Sequence, residues 1–250
     1  MNIQVSDAAL FRRSIDALKD FLPHAQIHVT ATEGLTIRGM DAGHIAFFDY
    51  FLSAKDCEVY QVPEECMLGV ATASLSKVLA MSASADALII THDDDHLRIS
   101  FTGDGRSGSF ELPLVVIDED TLDIPETSYK ATVRARSSDI ASVLKDLALL
   151  GEKAVLSLDE DGFHVRAEGD VGKGEFVLEP TDDREMLMEG DEVEEVSFAM
   201  KFIYAIVKNC AALSATIEVA FDAAQPMRIT VKFGRGSHFV AFLAPKVAED

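Results

Sequence analysis

The sequence lacks the features that mark membrane, secreted and disulfide-rich proteins. Its three cysteines, Cys57, Cys66 and Cys210, form no CxxC pair, and an odd count at irregular spacing argues against a disulfide framework. No apolar run reaches the roughly 20 residues that a membrane span requires. Residues 1–7 lack the basic and apolar regions of a secretory signal peptide. We therefore expect a soluble, intracellular protein with reduced thiols.

Catalytic signatures are also missing. The sequence contains no nucleophile elbow, no HExxH motif and no glycine-rich loop that ends in Lys-Ser or Lys-Thr. The run His92-Asp93-Asp94-Asp95-His96 offers ligands for a divalent metal, but it lies between two predicted strands, where a polar turn is the ordinary outcome. We expect no catalytic residue, no metal and no cofactor. An acidic two-domain ligand-binding or hydrolytic protein stays open as an alternative, and it would need a pocket with convergent polar groups.

Basic residues are scarce relative to acidic ones. The chain has 22 Lys and Arg against 43 Asp and Glu, which gives a formal net charge of -21. Taken alone, this balance argues against nucleic-acid binding, because phosphate contacts need Lys and Arg. Acidity can simply keep the protein soluble, or it can confine a polyanion to one locally basic surface. The positions of the basic residues decide between these two interpretations.

An internal repeat organises the chain. A predicted helix follows Ser6 as its N-cap, with Asp7 in its first turn, and a second one follows Ser137 and is closed by Gly151. Leu18-Lys19-Asp20 in the first recurs as Leu144-Lys145-Asp146 in the second, about 126 residues later, which is half the chain.

Each of these helices is followed by a similar series of elements. Residues 26–30 and 35–38 alternate across a glycine turn, and residues 154–158 and 163–166 do the same, so each pair predicts a β-hairpin. A further helix and two more strands follow in each half. The pattern predicts two copies of one α+β domain with antiparallel sheets, over residues 1–116 and 128–250.

Residues 117–127, between the two copies, lack any alternation and are rich in acid, so they predict an extended connector. Ile117, Leu122 and Ile124 are unusually apolar for such a segment. They either fix the connector to the surface or form part of a binding groove.

The predicted helices carry a modest basic excess. Five acidic residues, Asp7, Asp16, Asp20, Asp139 and Asp146, face seven basic ones, so the helices sum to about +2 while the rest of the chain holds about -23. Neither interleaved aromatics nor a helix rich in Arg, Asn and Gln is present, so base stacking and base readout are not expected. Ordinary solvated helix faces are one explanation, and sequence-independent DNA contact is the other. The candidate DNA-binding residues are Arg12, Arg13, Lys19, Lys77, Lys145, Lys201 and Lys208.

Five short segments together resemble one known family, proliferating cell nuclear antigen, the eukaryotic and archaeal type of DNA sliding clamp. They occur in the family's order and at its spacing, over nearly the whole chain. The segments are Leu18-Lys19-Asp20, Gly39-Met40-Asp41-Ala42-Gly43-His44-Ile45, Leu75-Ser76-Lys77-Val78-Leu79, Leu122-Asp123-Ile124-Pro125-Glu126 and Leu243-Ala244-Pro245-Lys246.

The resemblance implies a fold and a function. Three subunits, each of two similar domains, would close into a ring whose helices line the hole and whose sheets form the outside. Such a ring encircles duplex DNA without sequence preference and acts as a processivity factor in replication and repair, without being an enzyme. Its partners would be DNA polymerase, a clamp loader and other proteins with a short clamp-binding motif. A subunit of a heterotrimeric or checkpoint-type clamp is the alternative to a homotrimer.

The resemblance also implies two further sites. A groove for a short hydrophobic and aromatic peptide motif would be formed by Met40, His44, Ile45, Phe47, Leu122, Ile124, Pro125, Pro226, Phe242, Leu243, Ala244, Pro245 and Lys246. Ring closure would pair the edge strands predicted over residues 106–112 and 172–178, unless these strands lie inside their sheets. The contact residues would be Ser109, Phe110, Leu112, Phe176 and Leu178.

Some positions depart from the family pattern. Phe47 and Phe242 are bulky for the groove, and Ala80 replaces a basic residue on the second helix. Glu160 stands where eukaryotic members carry a lysine that accepts ubiquitin, so that modification is not expected at this site. The family resemblance implies the nucleus if the source is a eukaryote, and the cytoplasm otherwise.

Overall fold

The computed structural model describes residues 1–83, 86–103, 105–117, 123–124, 127–190 and 193–246, without the side chain of residue 194. The chain forms two compact units. Unit 1 comprises Met1–Ile124 with Phe233–Phe239, and unit 2 comprises Pro125–Lys232 with Val240–Asp250. The division between them falls within the predicted connector.

In the residues that the structure describes, unit 1 contains two α-helices, one short 3-10 helix (Ala54–Asp56) and nine complete strands. The helices are α1 (Ala8–Lys19) and α2 (Thr72–Leu79). The strands are β1 (Asn2–Val5), β2 (His24–Val29), β3 (Gly34–Met40), β4 (Ala46–Ser53), β5 (Cys57–Gln61), β6 (Cys66–Ala71), β7 (Ala87–His92), β8 (His96–Gly103) and β9 (Arg106–Pro113). They form two antiparallel arrays, ordered β5-β1-β7-β8-β9 and β4-β3-β2-β6.

Unit 2 repeats this plan with a second pair of helices. These are α3 (Ser137–Leu147) and α4 (Met200–Leu213). The strands are β10 (Ala131–Arg136), β11 (Lys153–Leu158), β12 (Phe163–Gly169), β13 (Gly172–Leu178), β14 (Glu185–Met188), β15 (Val193–Ala199), β16 (Thr216–Phe221), β17 (Met227–Phe233) and β18 (Ser237–Leu243). The last residue of β17 and the first three of β18 belong to unit 1. Their antiparallel arrays run β13-β12-β11-β15 and β14-β10-β16-β17. The predicted fold class, two similar α+β domains with antiparallel sheets, is confirmed.

The four helices lie where the apolar stripes in the sequence predicted them. Two predicted helix ends were wrong, the N-cap of α1 and the C-terminal end of α3. Asp7, not Ser6, caps α1, because its Oδ1 accepts a hydrogen bond from the amide of Leu10 at 2.8 Å. Helix α3 ends at Leu147, four residues before Gly151. Gly151 instead permits a close crossing, since a Cβ there would lie 2.2 Å from the carbonyl oxygen of Glu168.

Each unit has its own apolar core between helices and sheets. In unit 1 the core includes Ile15, Leu18 and Leu75, all at most 1% exposed. In unit 2 Leu144 and Ile206 are fully buried. None of the helices in the described part of the chain has the length and apolar character that a membrane span requires.

Candidate functional site

The candidate DNA-binding residues all lie on the four helices. Helices α1 and α2 pack together in unit 1, and α3 and α4 pack together in unit 2. Within their observed bounds the helices hold seven basic residues and three acidic ones, Asp16, Asp139 and Asp146, a net charge of +4. This exceeds the sequence-based sum, because Asp7 and Asp20 lie just outside α1. The helices are thus a basic part of a chain whose net charge is -21.

Most of these cations are available to a ligand. Arg13, Lys19, Lys77, Lys145, Lys201 and Lys208 are exposed, and Arg12 is half-buried. Lys19 is held across the helix pair, because its Nζ lies 3.0 Å from Asp16 Oδ1 and 3.3 Å from Ser76 Oγ. Long, solvated and separated lysines of this kind neutralise phosphates without reading bases.

The first part of the candidate groove is a tight turn after β3, built on Asp41. The Asp41 carboxylate is 7% exposed and accepts hydrogen bonds from the amides of Gly43 at 2.9 Å, Ile45 at 2.7 Å and Ala46 at 2.6 Å. These bonds hold His44 at a φ of 54°, a left-handed conformation that is uncommon outside glycine. Asp41 was not among the predicted site residues, although an Asp that bonds to following amides is a known turn signal.

Four of the predicted groove residues lie in unit 1 ahead of the connector. The turn exposes three of them. His44 is exposed, and Met40 and Ile45 are each 37% exposed. Phe47 is only 5% exposed, so the expectation of a bulky aromatic at the groove surface is wrong for this residue in the structure. Ile124 is 42% exposed, while Leu122 and Pro125 lie outside the described residues.

The remaining predicted groove residues belong to unit 2. Pro226 is half-buried, and its carbonyl oxygen accepts a hydrogen bond from the Tyr129 hydroxyl at 2.8 Å. Phe242 and Leu243 are buried, at 3% and 0% exposure, so Phe242 also does not present its ring. The tail after β18 is accessible: Ala244 and Pro245 are half-buried, and Lys246 is exposed. The amide of Lys246 donates to the carbonyl oxygen of Ser197 at 2.7 Å, which fixes the path of this tail.

A cleft of about 390 Å³ lies on the outer face of the β2-β3-β6 array in unit 1, beside Met40. Its floor carries mixed polar and apolar side chains, and Ile117 at the start of the connector forms one wall. Arg38 in the cleft donates from Nε to Asp49 Oδ1 at 2.7 Å. Burial alone would raise the pKa of Asp49, but hydrogen bonds from His238 and Arg38 outweigh burial and hold this pKa below its usual range.

The two predicted interface strands are edge strands. Strand β9 ends the order β5-β1-β7-β8-β9, and β13 begins the order β13-β12-β11-β15. The alternative that they lie inside their sheets is therefore wrong. Each edge presents a row of backbone groups that another strand can pair with.

Apolar side chains flank both edges. Phe176 on β13 is 40% exposed, and Leu178 is half-buried. On β9, Ser109 is exposed, Phe110 is half-buried against Phe101 with ring centroids 5.7 Å apart, and Leu112 is 9% exposed.

Two further exposed apolar residues, which the sequence did not predict as contacts, follow helices α2 and α3. Met81 follows α2, is 51% exposed and lines a cavity of about 200 Å³ together with Phe110. Leu149 follows α3 and is 77% exposed. Both looked like ordinary helix-end residues, and only their exposure identifies them as candidate contacts.

The histidine-rich run between β7 and β8 is a turn. Asp93 Oδ1 accepts from the amides of Asp95 at 3.1 Å and His96 at 2.9 Å. Within the described residues, no three His, Cys, Asp or Glu side chains are grouped so that they could hold a metal ion. Cys57, Cys66 and Cys210 are free thiols.

Comparison with known proteins assigns both halves of the chain to one family. Residues 1–122 match the model of the family "Proliferating cell nuclear antigen, N-terminal domain", and residues 123–246 match that of its C-terminal domain. A relative from Chaetomium thermophilum described as proliferating cell nuclear antigen is 27% identical over 259 residues. The alignment covers 100% of this chain and 99% of that protein.

Proposed function

Because this chain belongs to the proliferating cell nuclear antigen family of non-enzymatic sliding clamps, we propose that three copies of it close into a homotrimeric ring around duplex DNA. In this role it is a processivity factor that tethers DNA polymerase and other replication and repair proteins. The observation that supports the proposal is that β9 in unit 1 and β13 in unit 2 are both edge strands flanked by apolar side chains.

Two different edges on one chain favour head-to-tail assembly. When β13 of one copy pairs with β9 of the next, an open row of copies keeps one free β9 and one free β13 at its two ends. Such a row therefore either closes into a ring or grows without limit. In a closed ring every β9 is paired with a β13, so neither of these two edges stays open. Phe176, Leu149, Phe110 and Met81 would then be covered by apolar contact rather than exposed to water.

Weak DNA binding is sufficient for a closed ring. A net charge of +4 per chain on the helices gives contacts that are few and salt-sensitive, while the acidic remainder repels DNA from other surfaces. A topological link prevents escape, so the contacts need only guide the duplex. Contacts limited to the phosphate backbone allow movement along any sequence.

Partner proteins would dock through a short hydrophobic and aromatic motif. In unit 1 the Asp41 turn supplies exposed Met40, His44 and Ile45. The tail after β18 in unit 2, with accessible backbone at residues 244–246, is a separate candidate contact. A motif of this kind combines an apolar anchor with backbone hydrogen bonds. DNA polymerase and a clamp loader are the partners that the family implies, and the nucleus is the implied compartment in a eukaryote.

Sedimentation at micromolar concentration tests ring closure by this chain alone. We expect a species at three times the 27.2 kDa chain mass. A monomer that forms a complex of that size only with related clamp subunits would favour the heterotrimeric alternative. A monomer that no clamp subunit converts into a ring would contradict the proposal.

A further inference from the structure

Gly69 in β6 lies where the chain leaves β9 and enters the connector. The amide of Val115 donates a hydrogen bond to the carbonyl oxygen of Gly69 at 2.9 Å. The preceding amide, that of Leu114, donates to the carbonyl oxygen of Asp95 at 2.8 Å. The backbone amides of Leu114 and Val115 are therefore both hydrogen-bonded to neighbouring segments. These two bonds set the direction in which the connector begins.

Because Gly69 has no side chain, the backbone of Val115 can cross close to β6 at this point. A Cβ at Gly69 would lie 2.1 Å from the carbonyl oxygen of Val115, and 3.1 Å and 3.2 Å from Cγ1 and Cδ1 of Ile117. The first distance is far inside van der Waals contact, and the obstacle is a backbone atom that cannot rotate away. Any other residue at position 69 therefore displaces the start of the connector.

Gly69 lies on the outer face of its strand, away from the core. Its neighbours Leu68 and Val70 are 4% and 0% exposed, whereas Met67, on the same face as Gly69, is 48% exposed. A methyl group at Gly69 thus meets the connector and does not enter the packed interior.

The same contact shapes the cleft beside the candidate groove. Ile117, which lies against Gly69, is one wall of the 390 Å³ cleft that Met40 also lines. Moving Val115 and Ile117 away from β6 would change the width of this cleft.

We propose that Gly69 is a positioning residue for partner docking: because it has no side chain, Val115 and Ile117 at the start of the connector can lie against β6 and set the width of the cleft beside Met40 that the partner motif requires. This inference rests on the proposed docking function. It assigns the specificity of the groove partly to a residue that the motif itself does not touch.

The substitution Gly69→Ala tests the proposal in the full-length chain. A fluorescent peptide carrying a short hydrophobic and aromatic clamp-binding motif is titrated against each variant. We expect Gly69→Ala to weaken binding at least about tenfold, while the sedimentation mass, thermal unfolding and equilibrium DNA binding stay those of the original protein. The matched control is Val116→Ala in the same segment, where the side chain is 98% exposed, and its peptide affinity should not change.

A second variant approaches the same contact from the connector. Val115→Pro removes the amide that donates to Gly69, so it should weaken peptide binding to a similar extent. The double variant with Gly69→Ala should bind the peptide little more weakly than either single variant. Unchanged peptide affinity in Gly69→Ala would overturn the inference, as would full additivity of the two changes. Failure of the original protein to bind the peptide would instead refute the proposed docking function.

Discussion

The carboxylate of Asp41 holds the amide of Ile45 at 2.7 Å, and this bond shapes the exposed turn between β3 and β4. The two other amides on the same carboxylate, those of Gly43 and Ala46, leave the turn with one conformation. His44 keeps its positive φ inside this closed loop. The buried acid is therefore a support for the exposed groove residues on either side of it.

Replacing Asp41 by alanine should release that turn. Each amide that loses a buried, charged acceptor costs about 1–3 kcal/mol, although water can reach a turn and recover part of this. We expect a thermal midpoint lower by several degrees and a motif-peptide affinity reduced at least about tenfold. Asp94→Ala, in the exposed turn between β7 and β8, is the matched control. Equal peptide affinity in the two variants would contradict a supporting role for Asp41.

Removing helix cations should weaken DNA binding in proportion to their number. Lys77→Ala and Lys145→Ala alter one helix pair in each unit. Fluorescence anisotropy of a short duplex across a salt series should show a slope that falls by up to about 0.9 for each phosphate that the variant no longer neutralises. Lys55→Ala removes the same charge outside the four helices and should leave the slope unchanged. A slope that responds equally to Lys55→Ala would assign DNA binding to the total charge of the chain rather than to the helices.

A charge on the apolar side of β13 should open the ring. Phe176→Glu would place a carboxylate in the proposed contact between copies, where burial without a partner is costly. We expect the sedimentation mass to fall to the 27.2 kDa of one chain. Val177 is 41% exposed, nearly the same as Phe176 at 40%, but it lies on the opposite face of the strand. Val177→Glu should therefore keep the assembled mass, and dissociation by both changes alike would count against this interface.

His164 should make stability depend on pH. Burial lowers the pKa of its ring, but hydrogen bonds with Glu175 and Asp159, each at 2.9 Å, outweigh burial and raise the pKa above its ordinary value. The stabilising charge is therefore fully present below the unfolded pKa of about 6.5 and is lost as pH rises through the folded pKa.

Urea unfolding at several pH values measures this effect. The free energy of unfolding should decrease as pH rises from the unfolded pKa of about 6.5 through the folded pKa in the original protein, and it should decrease less in His164→Gln. The exposed His24, replaced in the same way, serves as the control. A pH profile of His164→Gln that coincides with that of the original protein would show that the two carboxylates do not act through this ring.

Periodicity and resemblance predicted the repeat and the interface strands, and they could not supply the contacts between distant residues. Ser6 and Asp7 are adjacent and both are good caps, so only geometry distinguishes them. Phe47 lies in β4, where nearly every residue is buried, so alternation cannot indicate which aromatic reaches the surface. Gly69 looks like any strand glycine until Val115, 46 positions later, is placed across it. Met81 and Leu149 became candidates only through their exposure.

A closed ring would hold DNA by a topological link, and a threading experiment distinguishes such a link from ordinary surface binding. A linear duplex is fixed to a surface at one end, the protein is added, the free end is then blocked with a bulky group, and the surface is washed at high salt. We predict that the protein stays on the duplex only when the free end is blocked, and that it is released when the duplex is cut near the blocked end. Protein added after the block should not be retained. Retention that is the same with and without the block would contradict the account, because it would mean that the chain binds DNA as an ordinary surface rather than encircling it.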